Sequence, residues 1–295
     1  MITRFAYRLY RSLKSWLIRR RPPFVTWAFF AALARIERFL AWRRASKEDP
    51  DVRRLECLFY FLNYSRLQPP FILEAESQLV VDSADHLWPH GTICDNSASP
   101  AFNRKLYAMF QYRPDLTVLD LGCSGGGFVK SILEDGFVAI GLEGSDASKK
   151  LQRAEWKTIP LHLFTCDITK SFLLKSGRGE RVLFDAITAW EVLEHISKDR
   201  LPGLMKNIWD NLKPAGVFFA SVATFPDANP ISNAVYHVTL EGRDWWIRQF
   251  VEFGFALLEG HQFETGDWVR GNGKGITNWD PADGDGFHIV LTKNP

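Results

Sequence analysis

From residue 118 onward the chain repeats one pattern: a short apolar run, a polar or glycine-rich break, then apolar positions at helical spacing. Residues 118–121, 137–143, 163–168, 184–191 and 211–222 each carry such a run. Runs that stay apolar instead of alternating with polar residues predict strands covered on both faces, as in a parallel sheet. A helix is predicted to begin near Phe128. Residues 243–255 have helical apolar spacing and end in a Gly-Phe stop. Residues 256–263 and 287–292 read as a closing strand pair. Strands alternating with helices in this way predict a doubly wound α/β fold.

The break after the first run carries the most chemistry. Residues 118–130 read VLDLGCSGGGFVK: a strand, an acidic residue, a glycine-rich turn and a helix start. Glycine has no Cβ, so a ligand can approach the main chain there. Glu143, closing the second run, is placed to accept hydrogen bonds from ribose hydroxyls. A dinucleotide site requires G-x-G-x-x-G, and glycines at 122, 125, 126 and 127 miss that spacing. Asp120 lies two residues before the first glycine, where a carboxylate repels pyrophosphate and attracts an ammonium or sulfonium. The sign of that charge favours S-adenosylmethionine over NAD.

The segment resembles motif I of the class I S-adenosylmethionine-dependent methyltransferases, D/E-x-G-x-G-x-G. Asp120, Gly122 and Gly126 match, while Ser124 replaces the middle glycine and must adopt a conformation glycine reaches more cheaply. The resemblance continues in order to the C-terminus. It implies a seven-stranded, mostly parallel sheet whose last strand is antiparallel, with S-adenosylmethionine as cofactor. It also implies that Asp120, Gly122, Cys123, Ser124, Gly126, Glu143, Gly144, Asp167, Ile168 and Trp190 surround that cofactor, with Asp167 meeting the adenine amino group. A methyltransferase-like fold serving only as a binding or scaffold subunit is the non-enzyme alternative, and the intact acids argue against it.

Residues 190–196, WEVLEHI, form the second informative segment. If a helix begins here, Glu191, Glu194 and His195 share one face, and His237 follows the fifth run closely enough to enter the same cleft. E-x-x-E-H with a later histidine is similar to the metal-binding set of certain O-methyltransferases, including quinone-biosynthesis and RNA 3′-end ribose enzymes. That similarity implies a divalent ion on Glu191, Glu194, His195 and His237. Other members of the broader family use such acids to brace a helix without metal. His237 is then the candidate general base, with Glu191 beside it as the other candidate catalytic group. The expected acceptor is a small molecule or a glycan, lipid-linked in one version, with a quinone-like phenol or an RNA ribose as the runner-up. Two polar, turn-rich stretches, 79–103 and 267–287, are candidate substrate loops. His86, His90, Asp95, Asn96, Asn103, Trp268, Arg270 and Asn278 are their candidate acceptor contacts.

Charge modifies the picture at one end. The net charge of +2 hides an asymmetry: residues 1–49 hold 12 Lys/Arg and 3 Asp/Glu, or +9, and the rest hold 24 and 31, or −7. Residues 1–75 are expected to form a basic amphipathic helical arm ahead of a catalytic domain at 76–295. Aromatic and basic residues at helical spacing suit peripheral contact with an anionic membrane through residues 1–47. Packing of the arm on the domain or on a second subunit is the competing reading. Nucleic-acid binding has no recognisable module behind it, and the Pro-Pro break and resumed charges argue against a signal peptide. The four cysteines lack metal spacing, which suits reduced thiols in a cytoplasmic enzyme.

Overall fold

A computed structural model describes residues 71–270 and 285–293. The basic arm and residue 278 lie outside the described residues. Strand β1 (Phe71–Ala75) precedes three short helices: α1 (Ala84–Leu87), α2 (His90–Cys94) and α3 (Pro100–Met109). The body then follows as β2 (Thr117–Leu121), α4 (Gly127–Glu134), β3 (Val138–Glu143), α5 (Ala147–Lys150), β4 (Leu163–Thr165), β5 (Phe172–Ser176) and β6 (Phe184–Trp190). It closes with α6 (Leu201–Asn211), β7 (Leu212–Ala223), α7 (Arg243–Phe253), β8 (Phe255–Leu257) and β9 (Gly286–Lys293).

Seven strands form one sheet in the order β4-β3-β2-β6-β7-β9-β8. Pairs β3/β4, β2/β3, β2/β6 and β6/β7 are parallel, and β9 runs antiparallel to both β7 and β8. This is the expected doubly wound arrangement with an inverted last strand. All seven residues of β6 are buried, as a central strand covered on both faces requires. Successive residues feed opposite layers. Leu119, Ile140, Ile187 and Phe218 join a core with Trp246 and Phe250 of α7. Val118, Ala139, Ala186 and Phe219 join another with Phe128, Val129 and Ile132 of α4.

The expectations shift at three places. The closing strand β8 has three residues, not the eight of 256–263. β7 incorporates the Lys-Pro-Ala-Gly segment as an irregularity: pairing jumps from Phe184↔Leu212 to Ala186↔Val217, with Ala215 at φ 59°. A two-stranded antiparallel sheet, β1 with β5, is an addition, and it contributes Phe71, Phe172 and Leu174 to the core. Among the described residues no helix is long and apolar enough to cross a membrane.

Candidate active site

Sheet order reverses between β2 and β6, and a doubly wound sheet opens its ligand crevice at such a point, beyond the C-terminal strand ends. A cleft of about 580 Å³ lies there, lined by Gly122, Ser124, Glu143, Gly144, Ile168, Trp190, Glu191, His195 and His237 among others. That volume falls within the range of small-molecule and cofactor sites.

On the β2–β3 side, Glu143 is buried, and its carboxylate accepts from Ser124 N (2.8 Å) and Ser145 N (3.0 Å). Burial raises its pKa to about 7 against the pull of those amides. Each oxygen keeps a lone pair, so ribose hydroxyls can still be received. Asp120 sits beneath the turn, buried, accepting from Thr188 Oγ1 at 2.7 Å, and burial lifts it to about 8. A nearby cation would draw that carboxyl back toward its ionised form. These buried, partly neutralised acids fit a cationic nucleoside cofactor.

The turn itself is held from several directions. Ser124 takes a left-handed conformation, φ 47°. Its hydroxyl lies 2.8 Å from Thr92 O and 3.1 Å from Asp95 O, and its carbonyl accepts from Trp156 Nε1 at 2.8 Å. Gly126, φ 87°, caps α4. A Cβ on Gly125 would stand 2.7 Å from Asp95 O, and one on Gly127 would strike the Asn96 backbone. At these two glycines the close approach is made by residues 95–96 of the same chain. Cys123 packs behind the sheet against Gly141. Asp167 lies two residues beyond β4 and accepts from Thr169 N (2.9 Å) and Thr169 Oγ1 (2.6 Å). Asp120, Cys123, Gly126 and Asp167 therefore shape the cleft without being among its lining residues.

The helix expected at 190–196 is replaced by a strand end and a single 3₁₀ turn. β6 runs to Trp190, Glu191 adopts φ 54° with its N–H on Ser221, and only Leu193–His195 coils. Glu191 thus leaves the face it was expected to share. Its Oε2 accepts from Arg270 Nη2 at 2.9 Å, and Arg270 Nη1 reaches Asp95 Oδ1 at 2.6 Å. Glu194, His195 and His237 come together instead, with one ligand atom from each lying within 4.8 Å of the others.

The state of each donor in this group is set by its neighbours. His237 Nδ1 donates to Phe225 O (2.7 Å) and His195 Nδ1 meets Asp85 Oδ2 (2.8 Å), so Nε2 is the nitrogen each ring has left. Glu194 Oε1 accepts from Ala223 N at 2.9 Å, while Oε2 is buried with no hydrogen-bond partner. Burial raises Glu194 to about 7 and depresses His237. Burial would also depress His195, but Asp85, Glu194 and Glu191 outweigh it and hold the ring near 9. Once an ion displaces the protons on His195 and Glu194, two imidazole nitrogens and one otherwise orphaned carboxylate oxygen are a donor set that suits a divalent transition metal.

The substrate-loop candidates divide. Asp95 and Arg270 line the cleft. Asn103 is buried against Ser131, and Trp268 stacks on His288 within an aromatic core. Asp85, Thr92, Arg200 and Tyr236 line the cleft without having been singled out. Asp85 and Thr92 lie in the polar, turn-rich stretch 79–103, whereas Arg200 and Tyr236 lie outside both candidate loops.

The chain matches the family described as methyltransferase domain over residues 34–264. Curated relatives include the ubiquinone biosynthesis O-methyltransferase of Pasteurella multocida, 35% identical over 111 residues, and that of Caulobacter vibrioides, 29% identical over 107. Those matches cover 35% and 36% of this chain, and 45% and 40% of the relatives' own lengths, less than half of each. Among solved structures, a glycopeptide N-methyltransferase complexed with S-adenosylhomocysteine has a TM-score of 0.45 at 16% identity, covering 70% of this chain and 95% of its own. The 1,6-didemethyltoxoflavin N1-methyltransferase of Burkholderia thailandensis has a TM-score of 0.49 at 16% identity, covering 72% and 85%. The chain belongs to the methyltransferase domain family, as a class I, S-adenosylmethionine-dependent member.

Proposed function

We propose that this protein transfers the methyl group of S-adenosylmethionine to a hydroxyl oxygen of a small-molecule acceptor, with a quinone-like phenol as the class suggested by curated relatives named as ubiquinone biosynthesis O-methyltransferases. What carries the reading is that His195 and His237, grouped with the buried Glu194, line the same cleft as Gly122 and Glu143. A donor site and a group able to handle a hydroxyl proton then share one space.

Glu143 would hold the ribose, Gly122 and Ser124 would border the amino-acid end, and Trp190 would form the wall between cofactor and acceptor. The cofactor supplies an electrophilic methyl, so the protein's main task is to hold the acceptor oxygen in line with it. His237 is suited to take the hydroxyl proton: burial keeps the ring neutral, and the Phe225 carbonyl fixes the tautomer that leaves Nε2 as acceptor. In the alternative in which a divalent ion sits on Glu194, His195 and His237, Nε2 of His237 would be a ligand and not the base, and the ion itself would lower the acceptor hydroxyl's pKa.

Methyl-transfer assays with catechol-type phenols and sugar hydroxyls, before and after chelation, test this reading. Phenol methylation that falls by about 10²–10⁴ in His237→Asn, with S-adenosylhomocysteine affinity intact, is expected. Turnover indifferent to both chelation and His237→Asn refutes it. The +9 charge of residues 1–49 supports weak seating of the arm on an anionic membrane face. Co-sedimentation of the full chain with anionic vesicles should fall when Arg19, Arg20 and Arg21 are replaced by Glu, and unchanged partitioning counts against it.

A further inference from the structure

The two histidines of the acid–histidine group are oriented from different parts of the molecule. His237 is fixed by a backbone carbonyl, Phe225 O, just beyond the end of β7. His195 is fixed by a carboxylate, Asp85, on α1, 110 positions away in sequence. The Asp85 and His195 side chains are about three-quarters buried, with 25% and 21% exposed.

Asp85 belongs to a strap, residues 80–99, that is tied down along its length. Val80 N donates to Gly144 O beside the ribose acid. Asp82 pairs with Arg200 at 2.6 Å, ahead of α6. Trp88 O accepts from Tyr236 Oη at 2.7 Å, one residue from His237. Thr92 O receives Ser124 Oγ and Ser148 Oγ, and Asp95 pairs with Arg270. Ser83 caps α1 by accepting from His86 N at 3.1 Å, which fixes the turn that presents Asp85. The strap therefore touches the cofactor half of the cleft at one end and the histidine pair in its middle.

We infer that Asp85 is a positioning residue: by holding Nδ1 of His195 it turns Nε2 toward Glu194 and His237, so the three-donor group is complete only while the strap is seated. The inference rests on the reading that this group holds a divalent ion. A ring nitrogen binds an ion through its lone pair, so the proton must reside on the other nitrogen, and a carboxylate acceptor enforces that choice. Without Asp85 the His195 ring could exchange tautomers and rotate, while Glu194 and His237 kept their own anchors. Seating of the strap is thereby linked to assembly of the acid–histidine group through the single contact from Asp85 to His195.

The test uses the full chain and its Asp85→Ala and Asp85→Asn variants. Calorimetric titration with Mn²⁺ should show Asp85→Ala weakened by about 10–100-fold, with S-adenosylhomocysteine affinity unchanged and with partial recovery in Asp85→Asn, which keeps an oxygen acceptor. Nitrogen-15 NMR of the metal-free proteins at alkaline pH should show His195 protonated on Nδ1 in the unsubstituted chain and shifting toward Nε2 in Asp85→Ala. Equal Mn²⁺ affinity together with an unchanged His195 tautomer in Asp85→Ala overturns the inference. Loss of S-adenosylhomocysteine binding in parallel with Mn²⁺ binding also overturns it, because the strap would then be a general structural element. If the unsubstituted chain binds no Mn²⁺, the ion reading falls, and the tautomer comparison still decides what Asp85 does to His195.

Discussion

Ser124 stands where the family motif has glycine, and its cost and benefit can be separated by two substitutions. At φ 47° its Cβ incurs the left-handed penalty, about 1 kcal/mol. Its hydroxyl returns one hydrogen bond, shared between Thr92 O and Asp95 O and worth about 0.5–1.5 kcal/mol. Both carbonyls also receive Arg153, so removing the hydroxyl leaves neither bare. Ser124→Ala keeps the strain and loses the bond, a net loss of about 1 kcal/mol. Ser124→Gly loses the same bond but relieves the strain, so the two terms nearly cancel. Urea unfolding read by tryptophan fluorescence should rank the unsubstituted chain and Ser124→Gly together, with Ser124→Ala lower. In thermal melts a 1 kcal/mol loss corresponds to about 2–4 °C for a domain of this size. Equal destabilisation of both variants would show that the left-handed backbone carries no penalty here, and the reasoning would fail.

Other predictions concern buried charge. Asp120 titrates near 8 when folded against 3.8 as a free group, so the folded chain keeps its proton longer. Stability from this group is full below pH 4 and is lost as pH rises toward 8. At 1.36 kcal/mol per pH unit the loss by pH 7 is up to about 4 kcal/mol. Asp120→Asn keeps the Thr188 bond and should flatten that slope in the cofactor-free protein; parallel pH profiles for the two proteins would contradict it. Arg270 bridges Asp95 and Glu191, and Arg270→Met should cost about 2 kcal/mol, less than a fully buried pair because the side chain is 27% exposed. Restoration by a second change, Glu191→Gln, would be visible in a double-mutant cycle, and strict additivity would count against the bridge.

The sheet was largely legible because parallel strands buried on both faces leave unbroken apolar runs. Glu143, Gly122 and the Ser124 strain could be read from their order along the chain. The 190–196 segment could not. A run that ends a strand and one that begins a helix look alike over four residues. β6 ends where Glu191 turns to φ 54° while its N–H stays on Ser221, 30 positions away. The same limit hid Asp85, whose role depends on a strap folding over strand ends it never adjoins in sequence. Gly125 and Gly127 looked like openings for a ligand, but their missing Cβ atoms make room for Asn96 and Asp95.

The central claim is that the turn after β2 and the acid closing β3 bind a methyl-donor nucleoside. Calorimetric titration of the full chain with S-adenosylhomocysteine, beside its Glu143→Gln variant, tests it most directly. Saturable binding at one site per chain, weakened by about 10-fold or more when the charged acceptor is removed, is the predicted result. Absence of binding to a correctly folded chain, or equal affinity in the two proteins, would contradict the account.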